Sequence, residues 1–219
     1  MVTFEMIRGN EEIRTYIVKG NRNLGVLGLT EHAFAHAMKA ADTAAKILTE
    51  LGYDTREAEL AKIAGFMHDL GNCINRTDHA HTGALMAMGI LRDIGMEPRE
   101  IAVIIAAIGN HDEKTGTAVD AVSAALILAD KSDVRRSRVR GRDQTRFDIH
   151  DRVNYAAISS ELDIEKEERR ITLNIELDDS LCSVLDYFEI FLSRMVMCRR
   201  AAERLGCTFH MNANGAKVL

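Results

Sequence analysis

"AGFMHDLGNCINRTDHAHTGA", residues 64–84, sets three histidines and two aspartates, Asp69 and Asp78, among the small and apolar residues of a helical protein. "DTRE" at 54–57 has the form of a capping box, so a helix is expected to run from there through "AELAKIAGFMHD" and to stop at Gly71. A second helix is expected from about His81 to Ile94, before Gly95. His68 and Asp69 are adjacent, and adjacent residues on a regular helix diverge. If both reach one centre, the helix end has to let them.

Outward from this stretch the pattern stays helical. Glu11 to Lys19 reads as a helix, and Thr30 as the cap of a long alanine-rich one ending at Gly52. Pro98 suits the first turn of the helix holding "IAVIIAAI", and "AVDAVSAALILADKSD" forms the next. Short links between five or six such helices imply a bundle. Past residue 145 the pattern changes. "LDIEKEERRITLNIELD" alternates like a two-stranded hairpin with Ile171, Leu173, Ile175 and Leu177 on one face, "LCSVLDYFEIFLSRMVMCRRAAERLG" is a long amphipathic helix, and "CTFHMNA" is a candidate returning strand. The expected architecture is mainly α: a helical metal-binding domain over 1–145 and a small α/β module over 146–219. "FDIHDRVNYAA" at 147–157 reads as a polar joint between the two. The long helix has more apolar surface than a hairpin can cover, so it packs on the bundle or forms a homodimer interface.

Composition narrows the class. The 219 residues are 47% hydrophobic and 28% charged, as in an ordinary globular protein, and the net charge of −5 disfavours general nucleic-acid binding. Cys73, Cys182, Cys198 and Cys207 show no CxxC pairing, and the N-terminus is charged throughout, so a reduced, cytoplasmic setting is expected. The most apolar run, "IAVIIAAIG" at 101–109, is about half the roughly 18 residues of a membrane span.

The coordinating residues lie far apart in sequence. His36 sits in the long alanine-rich helix, His68 and Asp69 close the next, and His79 and His81 open another. His111 and Asp112 follow the apolar helix, and Asp130 ends "ALILAD". A bundle can converge such residues, because its metal sites are built from facing helices. Imidazoles and carboxylates suit divalent Mn, Fe, Co, Ni or Zn and do not choose among them. One or two such ions would screen phosphate charge and bring a water towards ionisation at neutral pH.

The ordered set "HAMKAADTAAKIL", "GFMHDLGN" and "LILADKSD" resembles the HD-domain superfamily of metal-dependent phosphohydrolases, over about residues 30 to 135. The resemblance implies that His36, His68, Asp69 and Asp130 hold a first ion, with Asp69 bridging, and that His79 and His111 complete a second. His81 competes with His79 for that place. Asn110-His111 and Thr117-Ala118 depart from the double histidine and Gly-Tyr-Pro of the members that cleave cyclic dinucleotides, and the 219 residues are expected to have no room for a nucleotidyltransferase domain beside the bundle. His32, four residues before His36, is expected to face substrate or support the ligands, as is Glu31, and Asp112 to orient His111 or act as a base.

From Lys131 to Arg146, "KSDVRRSRVRGRDQTR" carries seven Lys or Arg and two Asp, a local +5. Arginine's planar fork matches phosphate oxygens. Lys131, Arg135 and Arg136 are therefore the expected phosphate contacts, with Arg138 and Arg140 facing away by alternation. Asp69, His111, Lys131 and Arg135 would carry catalysis on a small phosphorylated substrate, a nucleotide in the first instance. Two alternatives remain at this stage: a di-iron oxygenase using the same ligands, and a non-catalytic regulatory module that binds metal or nucleotide.

Overall fold

A computed structural model describes residues 1–140 and 149–218. The expected boundary at 145/146 and the last basic residues of the run, Arg142 and Arg146, lie outside the described residues. Helices α1 (Phe4–Gly9), α2 (Glu11–Val26), α3 (Phe34–Leu51), α4 (Thr55–Met67), α5 (His79–Asp93), α6 (Pro98–Gly109) and α7 (Ala121–Lys131) come first. They are followed by α8 (Ile149–Ala156), β1 (Ala157–Glu165), β2 (Arg170–Leu177), α9 (Val184–Arg204), β3 (Thr208–Ala213) and β4 (Ala216–Lys217).

The centre of the bundle is α7. It is buried on every side, from Val122 to Ala129, and packs against α3, α4, α6 and α9. A helix this apolar cannot sit at a surface. Its start is fixed by a capping box in which Asp120 and Ser123 exchange side-chain-to-backbone hydrogen bonds. Helices α3 and α4 pack closely enough that a Cβ on Gly65 would lie 2.7 Å from the Cα of Ala41. Glycine is what lets the two backbones touch.

The sheet has the order β1-β2-β3-β4. β1 and β2 form an antiparallel hairpin with Leu162 opposite Leu173 and Ile164 opposite Ile171, and β3 joins β2 in parallel after α9 crosses over. A parallel neighbour needs such a crossover. Ile171, Leu173, Ile175 and Leu177 are all buried, as the alternation predicts. Tyr187, Phe191 and Met195 on α9 are fully buried too, while Leu185 and Leu192 face outward. Fully burying a side chain such as Phe191 is worth about 1.5–3 kcal/mol. One hydrophobic cluster runs without a break from α1 to β3, so α9 and the sheet share the bundle's core.

Three local expectations change. Thr30 is not a helix cap: α3 starts at Phe34 behind Ala33, which makes no side-chain cap. The preceding segment is held elsewhere, by Glu31 N–H to the Arg138 carbonyl and His32 N–H to Asn21 Oδ1, and these long-range bonds override the local capping signal. His32 and His36 therefore do not share a helical face. Helix α5 begins at His79, two residues before the expected start. Helix α4 ends at Met67, four residues before Gly71, and a 3-10 turn spans Leu70–Cys73. Gly71 instead permits a close approach, since a Cβ there would fall 2.0 Å from the His79 carbonyl oxygen. No helix among the described residues is long and apolar enough to cross a membrane.

Candidate metal centre

With α4 ended at Met67, His68 and Asp69 leave the regular helix, and both turn towards one centre. Nε2 of His36 lies 3.2 Å from Nε2 of His68, 3.3 Å from Asp130 Oδ1 and 3.7 Å from Asp69 Oδ2. His68 Nε2 is 3.3 Å from Asp69 Oδ2 and 3.6 Å from Asp130 Oδ1. On the other side of Asp69, Oδ1 lies 3.5 Å from His79 Nε2, which is 3.1 Å from His111 Nε2. Asp69 thus presents one oxygen to each pair of histidines. His68, Asp69 and His111 also approach closely enough to share an ion.

The far side of each ring explains this arrangement. Nδ1 of His68 meets the Gly65 carbonyl at 2.7 Å, that of His111 the Ile108 carbonyl at 2.6 Å, and that of His79 the Arg76 carbonyl at 3.1 Å. Each carbonyl lies three residues earlier in the chain, at the close of a turn. His36 Nδ1 meets the Asp133 carboxylate at 2.8 Å instead. A carbonyl or carboxylate can only accept, so each Nδ1 carries a proton and each Nε2 is the ring atom that points inward. Two facing Nε2 lone pairs at 3.1–3.2 Å repel unless a cation or a proton lies between them. Asp69 Oδ2 is buried with no hydrogen-bond partner among the described residues, and a buried anionic oxygen without a partner is costly. The donor set fits a divalent ion in both pairs.

The electrostatics agree. Burial works against charge on His68, but Asp69 and Asp130 outweigh it and hold the imidazolium up to about 10. Burial alone would raise the Asp69 carboxyl, yet His68 and His32 pull it well below the usual range; Lys131, His36 and His68 do the same for Asp130. Burial pushes His111 down to about 3.

The other expected residues are placed as follows. His32 lies at the edge of the cluster, with Nδ1 on the Thr30 carbonyl at 2.8 Å, Nε2 4.0 Å from Asp69 Oδ2, and a pKa lowered by burial. His81 is exposed beside Asp78 at 4.0 Å and is not in the cluster. Asp112 lies 3.7 Å from Nδ1 of His79, not behind His111. Lys131 pairs with Asp130 Oδ2 at 2.5 Å and faces the cavity described below.

Arg135 and Arg136 do not line that cavity, contrary to the expectation from sequence. Arg135 grips Asp133 at 2.8 Å, and Arg136 reaches the Tyr155 carbonyl, its guanidinium over the Tyr155 ring. Arg138, expected to face away, lines the cavity. The chain leaves α7 at Lys131 and makes a 3-10 turn over Arg136–Arg138, so the assumed strand-like alternation has no basis there. Sequence reasoning also missed Asp133, fully buried behind His36, and Asn72, whose amide donates to Asp69 Oδ1 at 2.7 Å. Their positions next to "LAD" and "HD" were the available signal. Arg76 and Arg194 reach the cavity with no such signal.

The cavity beside the cluster measures ≈ 410 Å³. Asp69, His79, His111 and Asp130 form its floor; Arg76 to His81 form one wall, and Asp151 and Asn154 of α8 with Arg194 of α9 form another. The HD domain profile matches residues 33–172, which hold all six clustered ligand-type residues. The chain belongs to the HD domain family. This is the family of metal-dependent hydrolases that its motifs resemble. Ribonuclease Y of Bacillus velezensis and of Bacillus subtilis are each 34% identical to this HD-domain chain over 104 residues. The match covers 43% of the chain but only 18% of either relative. The crystal structure of a predicted HD superfamily hydrolase from an uncultured Thermotogales bacterium is 24% identical; the match covers 57% of this chain and 67% of that one, at a TM-score of 0.44.

Proposed function

We propose that this HD-domain protein hydrolyses a phosphoester or phosphoanhydride of a small substrate, a nucleotide in the first instance, using one or two divalent ions. The observation that carries this reading is the pair of facing imidazole sets on either side of Asp69, whose Oδ2 has no partner among the described residues. His36, His68, Asp69 and Asp130 would hold one ion, and His79, His111 and the other Asp69 oxygen a second. Bound there, divalent ions supply Lewis acidity that polarises phosphoryl oxygens and favours ionisation of water at neutral pH.

The chain's own residues do the rest. The Nδ1–H contacts at Gly65, Ile108, Arg76 and Asp133 keep every Nε2 aimed inward, so no ring has to reorient during turnover. Asn72 holds Asp69 in the orientation that serves both sides. Lys131 sets a positive charge beside Asp130 at the cavity floor, where a phosphate brings negative charge. Burial raises the Asp112 carboxyl, but the Lys114 amide and His79 bring it below the usual carboxylate range. Asp112 is therefore ionised at neutral pH, and as a residue lining the cavity it can accept a proton from water. A cavity of ≈ 410 Å³ falls at the small end of the ~300–1,000 Å³ of ligand sites, which favours a compact substrate.

The similarity to ribonuclease Y over 104 residues supports a second substrate, an RNA phosphodiester. Metal analysis of the purified protein, then phosphate release from mononucleotides and chromatographic detection of the products from cyclic nucleotides and short RNA, with Mn²⁺, Fe²⁺, Co²⁺ and Ni²⁺, separates the two. Cleavage of mononucleotides but not RNA is the expected result. Oxygen consumption without phosphate release would overturn hydrolysis in favour of a di-iron oxygenase, and metal binding without turnover would leave a regulatory module.

A further inference from the structure

Two arginines far apart in sequence line the same cavity. Arg138, 6% exposed, follows α7; it donates Nε–H to the Glu31 carbonyl at 3.0 Å and an Nη1 hydrogen to the Asp133 carbonyl at 2.8 Å. These bonds fix the plane of the guanidinium and leave Nη2 with no hydrogen-bond partner among the described residues. Arg194, on α9, is held by Glu113 at 2.9 Å through Nε and lies across the Phe191 ring. Both of its Nη groups are without a hydrogen-bond partner among the described residues. Both side chains line the cavity whose floor is the metal centre.

Two guanidinium groups facing one cavity is an unfavourable arrangement by itself. Burial depresses the Arg138 pKa, Asp133, Asp130 and Asp69 support its charge, and Arg194 lies near enough to push against it. An anion between the two would turn this repulsion into attraction and use the remaining N–H groups, which lie on forks matched to phosphate oxygens. We infer that Arg138 and Arg194 form the anion subsite of this cavity and hold non-bridging oxygens of a terminal phosphate on the substrate. Arg194 lies beyond the matched residues 33–172, so the C-terminal α/β segment completes a site that the HD segment leaves open. The terminal phosphate, a dianion, matches two fixed cations better than the single charge of an internal phosphodiester does. This inference rests on the phosphohydrolase reading for its substrate, but the binding of phosphate can be measured without turnover.

The test titrates inorganic phosphate into the Mn²⁺-loaded protein by calorimetry and repeats it as inhibition of p-nitrophenyl phosphate hydrolysis. Arg194→Gln should weaken phosphate binding about tenfold or more, with metal content and melting temperature unchanged, and Arg194→Lys should recover part of the loss. Glu113→Gln removes the anchor but keeps the guanidinium, so it should weaken phosphate binding less than Arg194→Gln does. Arg138→Gln breaks two backbone contacts and risks misfolding, so Arg194 carries the decision. Phosphate binding by Arg194→Gln within twofold of the parent would overturn the subsite. So would no phosphate binding by the parent at millimolar concentration. Arg194-dependent phosphate binding in a protein that hydrolyses none of the phosphates offered would sink the proposed function and leave the subsite standing.

Discussion

His36 and His79 occupy matching places in the two halves of the imidazole cluster, but His36 leans on the buried Asp133 carboxylate at 2.8 Å and His79 on the Arg76 carbonyl at 3.1 Å. The first half also has two carboxylate oxygens, from Asp69 and Asp130, where the second has one, already bonded to Asn72. Negative charge behind and beside an imidazole raises its basicity and its hold on a cation. The two halves, alike in residue type, should therefore differ in strength. An ion in the first half is expected to be structural and slow to leave, and one in the second to exchange more readily.

The largest effect should come from the residue the halves share. Asp69→Asn removes the oxygen pair between them, and we expect loss of both ions by elemental analysis and a fall in kcat of at least about 1000-fold. Retention of metal-dependent turnover by this variant would break the assignment of the centre. His68→Gln and His79→Gln then sharpen the contrast. The first should lose all tightly held metal; the second should keep about one equivalent after a chelator wash.

Acidity separates the halves further. His68 is held up to about 10 by Asp69 and Asp130, whereas burial pushes His111 down to about 3. Loading the first half must displace a proton from His68 at any pH below about 10; loading the second displaces none from His111 above about 3. The first ion's affinity should thus rise about tenfold per pH unit between pH 7 and 9, and the second should change little. The metal-free protein gives the opposite sign. A histidine whose folded pKa is raised adds stability that is complete below its ordinary 6.5 and disappears as pH rises through about 10. Metal-free protein should therefore melt lower at pH 10 than at pH 6, and a flat profile would remove the His68 imidazolium from the account.

A smaller effect is expected at Asp133, which distinguishes the first half by contact alone. Its carboxyl is held well below the usual range because the pairing with His36 and Arg138 overcomes burial. Asp133→Asn keeps the size and one acceptor but removes the charge. The first ion's affinity should fall about 10- to 100-fold while the second stays within about twofold, by competition with a metallochromic dye. Equal losses in both halves would mean that Asp133 supports the fold and not His36.

The same contrast explains what the sequence discloses. His36, His68, Asp69, His79, His111 and Asp130 stand on or beside helix ends whose periodicity and small residues are local properties, so their helices could be read directly. The sheet was legible for the same reason: Ile171, Leu173, Ile175 and Leu177 alternate in a strand that is buried on that face. What the sequence hid depends on tertiary approach. Nothing near Thr30 signals that Glu31 will bond to the Arg138 carbonyl and deny the cap its helix. The broad apolar surface of α9 signals packing on the bundle, but nothing near Arg194 signals that this packing carries that side chain to the metal cavity. The arginines after Asp130 failed for a different reason, since alternation was assumed where the backbone makes a turn.

Arg136 tests that last point with the smallest expected effect. It was expected to grip phosphate, but its guanidinium is about half exposed, stacks on Tyr155 and lies 3.8 Å from Asp178. An exposed pair of this kind contributes about 0–1 kcal/mol, and the stacking about 0.5–1 kcal/mol more. Arg136→Ala should lower the melting temperature by a few degrees at most, through a weaker link between the segment after α7 and α8. KM and kcat for p-nitrophenyl phosphate should both stay within about twofold. A tenfold rise in KM at unchanged stability would put Arg136 in contact with substrate after all. The wall of the cavity would then have to move when substrate binds, because in this structure the Arg136 side chain is tied to the Tyr155 carbonyl and away from the metal centre.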